Sequence, residues 1–287
     1  MKTTRRKFIK SSGSALASAA LLGQFPVELL AGGSSARGLS FGFQVWTIRE
    51  KVVKEFGPTL KEMAAMGYSE VEMCSPLGYS NSGFAPLHQM EGSEMKRIIS
   101  DAGLKCTSSH FNMGELRDHL ENRIEWAHAL GMKQMIVASF WLPEGASLDD
   151  YRKAAQELNG IGEKTRAAGI QLGFHNHHME FEKRGDKLIY DVLMEEFDTE
   201  LVKMQLHMAV VNMGHDPADL FRKYPGRFIS SHLSDWSPEL EKQVPIGQGM
   251  VDWEDFFRAA KTGGLKNYFV EMDPAYFEES AEYLKSI

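Results

Sequence analysis

Cysteine is almost missing from the sequence: Cys74 and Cys106 are the only two in 287 residues, far apart and outside any redox motif. A disulfide between them is open to a protein that leaves the cytoplasm, but a fold of this size does not need one. Positive charge is also in short supply, with 32 Lys and Arg against 39 Asp and Glu and a formal charge of −7. Such a surface repels a phosphate backbone, so nucleic acid is not an expected partner. No P-loop and no basic cluster offers a phosphate site, and no Gly-rich turn follows the first apolar run in "FQVWTIREK". That absence argues against an open, doubly wound nucleotide-binding sheet. Tandem repeats and low-complexity tracts are lacking too, which leaves one or two ordinary globular domains.

A long hydrophobic run is likewise absent. The apolar stretch "SSGSALASAALLGQF" is short and rich in Ser and Gly, poorly suited to span a bilayer. It follows Arg5, Arg6, Phe8, Ile9 and Lys10, and Ser34-Ser35-Ala36 offers a cleavage site. This is the pattern of a twin-arginine export signal over residues 1–36, with no cysteine after it to carry a lipid. The mature protein is therefore expected in the periplasm or outside the cell, free of the membrane once the signal is removed. Losing those residues removes five positive charges (Lys2, Arg5, Arg6, Lys7, Lys10) and one negative charge (Glu28), which moves the formal charge from −7 to −11. Self-association is left open.

What the chain does have is regular alternation. Past Leu39, short apolar runs ("LSFGFQV", "SEVEMC", "KCTSSHF", "QMIVASF", "IQLGFH", "KMQLHM", "FISSHLS", "NYFVEMD") alternate with amphipathic stretches, several ending on Gly as a left-handed helix cap requires. Eight strands alternating with helices predict a parallel sheet, and residues 37–287 have the length of a single (β/α)8 TIM barrel. The strands are apolar early and polar late: His110, His175, His207, His232 and Glu271 fall at or near strand ends. In a closed barrel those ends form the rim that carries the site.

Strand parity sharpens this expectation. Along "IQLGFHNH", Gln171, Gly173, His175 and His177 share one face while Leu172, Phe174 and Asn176 share the other. His175 and His177 are thus expected to point inward, with His178 starting the loop. "FISSHLSDW" adds His232 and Asp235, and "YFVEMD" adds Glu271 and Asp273. Imidazoles and carboxylates converging from successive strands suit one borderline divalent ion, Mn2+, Co2+ or Zn2+.

The segments "GFHNHHMEFE", "DPADLFRKYPGRFISSHLSDW" and "PIGQGMVDWEDFFRAAKTGGLKNYFVEMD" resemble the xylose-isomerase-like barrels that include sugar phosphate isomerases and epimerases, from about Phe41 to Ile287. The resemblance implies a metal held by groups from strands five to eight, which here are His175, His207, His232 and Glu271. Two of the four match in type. His175 stands where many relatives have Glu, and His207 where many have Asp, so simple epimerisation is not the only chemistry to expect.

The resemblance also implies a small carbohydrate substrate, a ketose or keto-glycoside, whose α-proton is removed to give an enediolate. Reprotonation then isomerises or epimerises, and loss of a β-leaving group eliminates, as in inosose dehydratases and enzymes of 3-keto-glycosides. Glu271, His177 and Glu180 are the candidate catalytic bases, and Glu72 and His110 are expected to bind sugar hydroxyls. Asp235 would orient His232, bind substrate or cap the following segment. Trp46, Phe111, Trp141 and Trp236 lie near strand ends, where a ring could stack on a sugar. Two other readings stand beside this one: a catalytically degenerate sugar-binding barrel, and a phosphodiesterase, which the negative charge disfavours.

Overall fold

The computed structural model describes residues 39–287; the export signal expected over residues 1–36 lies outside the described residues. Eight parallel strands form the frame: β1 Gly42–Gln44, β2 Glu70–Cys74, β3 Lys105–Phe111, β4 Gln134–Val137, β5 Gln171–His175, β6 Val202–His207, β7 Phe228–Leu233 and β8 Asn267–Val270. They pair in chain order, and β1 bonds to both β2 and β8, so the sheet closes. The protein is the single (β/α)8 barrel that the alternation predicts.

Helices return the chain between strands, and their ends follow local chemistry. The helix Leu148–Ala167 starts on a capping box in which Ser147 and Asp150 satisfy each other's backbone N–H. Gly67, Gly131 and Gly264 end three helices in left-handed conformation (φ +110°, +95° and +91°). Two helical segments go beyond the sequence expectation. Met113–Leu130 starts well before its amphipathic second half, "NRIEWAHALG", and is capped by Asn112; its polar first half kinks at His119 and carries no clean apolar period. Phe277–Ser286 forms a final helix, held where the Tyr68 hydroxyl donates to the Phe277 carbonyl at 2.9 Å.

Outward faces such as Val71, Met73, Leu172, Phe174, Met204 and Leu206 are buried under the helices and build the core. The interior is layered. At the N-terminal end, Glu70 accepts from Thr107 (2.6 Å) and Asn267 (3.0 Å), and Gln134 donates to Asn267 (2.6 Å), which makes a hydrogen-bonded floor. Above it lie Ile136, Ile229 and Phe269. A bulge in the β6–β7 pairing (Met204 with Phe228, then Gln205 with Ser230) turns Ile229 inward. Glycine is needed at two positions in this layer. A Cβ on Gly173 would sit 2.6 Å from Ile136 Cδ1, and one on Gly42 would sit 2.8 Å from Phe269 Cδ1. Cys74 and Cys106 are both buried free thiols. Among the described residues, no helix is long and apolar enough to cross a membrane.

Candidate functional site

Above the apolar layer the interior changes character. Five imidazoles pack together: His175 is central, with ring centroids 4.5 Å from His232, 4.9 Å from His177 and 5.0 Å from both His110 and His207. His110 stacks on His232 at 5.1 Å with their planes 9° apart. Ligand atoms of His175, His207 and Glu271 lie within 4.8 Å of one another, as do those of His110, His175 and His232. The ring nitrogens and the Glu271 carboxylate from β5, β6, β7 and the end of β8 thus meet at one mouth.

Hydrogen-bond accounting assigns the protons. Gln205, one step below His207 on β6, points its amide nitrogen at Glu72 (2.8 Å) and at the Ser230 hydroxyl (2.9 Å). Its carbonyl oxygen therefore faces His110 Nε2 (2.7 Å) and His175 Nδ1 (2.9 Å), and both nitrogens must donate. A neutral His175 then keeps a free lone pair on Nε2. His232 differs: its Nδ1 meets Glu271 at 2.7 Å and its Nε2 makes a close contact with Glu72. Carboxylates on both nitrogens call for a doubly protonated ring.

The electrostatics agree. Burial pushes His175 well below the usual imidazole range, with His232, His177, His110 and His207 adding to the effect. Burial likewise lowers His177 and His207 to about 4. Burial opposes charge on His232 too, but Glu271 and Glu72 outweigh it and raise the group to about 9. Against its own burial, Glu271 is held down to about 2, chiefly by His232. Glu72 is held far below the usual carboxylate range by His110 and His232 despite complete burial. One cationic ring thus stands between two carboxylates, with neutral His175, His177 and His207 close by. A divalent metal requires its imidazole ligands neutral.

Several sequence expectations change here. Glu72 is fully buried, one layer below the rim, with Oε1 accepting from Ser108 (2.5 Å) and Gln205. It supports the histidines and is out of reach of a sugar hydroxyl. His110, 6% exposed, is stacked within the cluster and tied to Gln205, not presented to solvent. Asp235 starts a hairpin of Asp235–Ser237 with Lys242–Val244 and turns away from the histidines. Its carboxylate accepts from the backbone N–H of Trp236, Gly247, Gly249 and Val251 and from the Trp253 indole. Five donors leave nothing for a substrate, so Asp235 organises the loop that leads into the helix Trp253–Gly263. Asp235→Ala is expected to cost about 3 kcal/mol in urea unfolding, since several donors would lose a buried acceptor at once.

Glu180 is buried and folds back onto the His177 N–H at 2.7 Å. Burial raises it to about 7, opposed by the bond from the His177 backbone N–H, so its carboxylate is engaged with the loop that carries His177. His177 is partly exposed at the mouth, and its buried Nδ1 has no partner among the described residues. His178 is exposed. Phe111 is fully buried against Trp126, which removes it as a stacking surface. Trp141 stands 64% exposed near His177 in a left-handed conformation (φ +51°), an outlier for so bulky a side chain. Gln205, Ser108 and Ser230 are the members that sequence reasoning missed. Strand parity with His207, His110 and His232 was the available signal.

The protein is a closed parallel barrel with His and Glu side chains that could hold a metal gathered at the C-terminal ends of its strands. A family model described as the xylose isomerase-like TIM barrel matches residues 60–287, and the chain belongs to that family. It is similar to an inosose dehydratase of Lacticaseibacillus casei, 24% identical over 244 residues that cover 69% of this chain and 80% of the relative. A solved sugar phosphate isomerase/epimerase from Parabacteroides distasonis superposes with a TM-score of 0.74 at 24% identity, covering 88% of this chain and 96% of that one. The IOLI protein, solved with a zinc atom, superposes with a TM-score of 0.61 at 16% identity, covering 86% and 94%.

Proposed function

We propose that the protein is a divalent-metal-dependent isomerase/epimerase or lyase that removes the α-proton of a keto-sugar or keto-glycoside and proceeds through an enediolate. One observation carries this reading: His175, His207 and Glu271 bring ligand atoms within 4.8 Å of one another, with His232 on Glu271. Family membership and the similarity to inosose dehydratases support a sugar-modifying enzyme, and the zinc atom of the IOLI protein supports a metal in this fold.

The donor set fits a borderline cation such as Mn2+, Co2+ or Zn2+. His207 Nε2 lies 3.7 Å from Glu271 Oε2, too long for a hydrogen bond and near the spacing of two ligands about 2.1 Å from a shared ion. His175, His207, His232 and Glu271 would hold the ion, which supplies Lewis acidity to polarise the sugar carbonyl and offset charge on its oxygen. For His232 to ligate through Nδ1, that proton must leave while Nε2–H stays on Glu72. This is the carboxylate–histidine support common at metal sites. His177 is the base best placed to take the α-proton: it is neutral and its ring stands partly exposed at the mouth. Buried Glu72 and Gln205 keep the imidazoles in their tautomers, and the closed floor keeps water from entering beneath.

The test is incubation with keto-glucosides and free ketoses in deuterated water. The metal-loaded protein is expected to place solvent deuterium at the α-carbon, and the chelated protein is expected not to. Loading near neutral pH is expected to release about one proton, from His232. A protein that binds sugar without exchanging any proton would instead be a catalytically degenerate sugar-binding barrel. We also propose export by the twin-arginine route, supported by Arg5, Arg6 and the Ser34-Ser35-Ala36 step. A mature N-terminus at Arg37 in exported material tests it, and retention of the full-length chain in the cytoplasm would overturn it.

A further inference from the structure

The loops after β1 to β4 form a cavity of about 390 Å³ that opens to solvent near His177, lined among others by Trp46, Tyr79, Asn112, Met113, Phe140 and Trp141. None of these residues belongs to the ligand set, and the enediolate chemistry proposed above leaves them unused. Trp141 joins the two spaces. Its ring centroid lies 5.9 Å from that of His177, which in turn lies 4.9 Å from His175.

Three features of the cavity point to a ligand. Trp141 is 64% exposed and holds φ +51°, with its N–H donated to Ser139 Oγ at 3.2 Å. A strained backbone that presents a large indole to solvent is a feature packing alone does not explain, and such strain gathers at ligand clamps. Trp46, partly buried, is fixed by the edge of Tyr79 at 6.0 Å and by the Arg49 guanidinium 4.7 Å from its centroid. The Tyr79 hydroxyl is buried yet has no hydrogen-bond partner among the described residues. Buried phenols normally find one.

We infer that this cavity is a subsite for a second ring joined to the reacting sugar, the leaving-group portion of a glycoside, with Trp141 as its stacking wall and Tyr79 as a hydrogen-bonding partner. The inference rests on the keto-glycoside reading and narrows it to two-ring substrates. An indole face suits the C–H face of a pyranose or an aryl ring, and the unpaired hydroxyl favours the pyranose. About 390 Å³ sits at the small end of ligand sites and holds one ring, not a chain of them. In an elimination the C2–H and C1–O bonds of a 3-keto-glycoside break and a C1=C2 bond forms. The proton goes to the base, and the second ring departs as its alcohol once protonated. A grip on that ring orients the bond that breaks.

The experiment measures binding, by calorimetry and indole fluorescence, to chelator-treated full-length protein that cannot turn over. The probes are 3-keto-glucose, a 3-keto-disaccharide of two glucosyl units and phenyl 3-keto-glucoside. The disaccharide is expected to bind at least thirtyfold tighter than 3-keto-glucose. Trp141→Ala should shrink that ratio to within threefold while leaving 3-keto-glucose affinity and thermal stability unchanged, and Trp141→Phe should restore most of it. Tyr79→Phe should weaken the disaccharide about fivefold and the phenyl glucoside not at all. Equal weakening by both ligands would assign the subsite to aryl groups and overturn the pyranose assignment. A wild-type ratio near one, or a Trp141→Ala loss equal for all three probes, would overturn the subsite itself. Deuterium exchange into 3-keto-glucose by the metal-loaded enzyme is independent of this ratio, so each idea can fail alone.

Discussion

Glu271→Gln is expected to abolish the proposed metal binding, read as loss of metal on dialysis, and to lower deuterium exchange into a keto-sugar by on the order of 10³-fold. The carboxylate is the hub of the site: Oε2 lies 2.7 Å from His232 Nδ1 and 3.7 Å from His207 Nε2. It is also the anionic member of the proposed ligand set. Glutamine preserves size and one acceptor but removes the charge, which leaves three imidazoles to hold a dication in a buried pocket. Metal content by elemental analysis and exchange by NMR check the two halves separately. Full metal retention with unchanged exchange would remove Glu271 from the site.

The second large effect concerns stability. Glu72→Ala is expected to destabilise the metal-free protein by about 3–5 kcal/mol, because the buried His232 cation loses one of its two counter-charges. Ser108 and Gln205 each lose an acceptor as well. For a barrel of this length that is a fall of roughly 10 °C in Tm. Glu72→Gln should cost less, since it keeps an acceptor and the volume. The pH dependence carries the signature of the triad. Both carboxylates are depressed in the fold, so their contribution is present above about pH 4.5 and lost as pH falls towards their folded values. His232 is raised to about 9, so its contribution is present below about pH 6.5 and lost as pH rises through 9. His175, His177 and His207 are depressed by burial, so their contribution is present above about pH 6.5 and lost as pH falls below it. Across the range from about pH 4.5 to 9 the metal-free protein should therefore be most stable near pH 6.5, and the alkaline loss should shrink in Glu72→Ala. Chemical denaturation across that range checks it, and an unchanged alkaline limb would show that His232 is not the group responsible.

Much of this was legible in the sequence because a barrel strand encodes position twice, by where it ends and by which residues alternate. The polar late residues of eight apolar runs marked the rim, and parity placed His175 inward. Depth was harder to read. Glu72 lies two residues before the end of β2, one layer down, and that step converts an expected sugar-binding carboxylate into a buried support for His232. Gln205, Ser108 and Ser230 share parity with rim histidines but carry no charge, so nothing in composition flagged them. Asp235 follows His232 closely in sequence, yet the hairpin that begins there carries it into a loop whose N–H groups it collects. Such loop conformations depend on long-range contacts, here with Trp253, eighteen residues away. The polar start of the Met113–Leu130 helix escaped for the opposite reason: its Asn112 cap and tertiary contacts stabilise it without an apolar stripe.

The hydrogen-bonded floor of Glu70, Thr107, Gln134 and Asn267 makes the cylinder a cul-de-sac. Whatever arrives at the histidines enters through the same doorway by which it departs, so a departing molecule and an incoming one compete for a single passage. Turnover in such a vessel is paced by traffic as well as by bond-making, and accumulated product should compete directly with substrate.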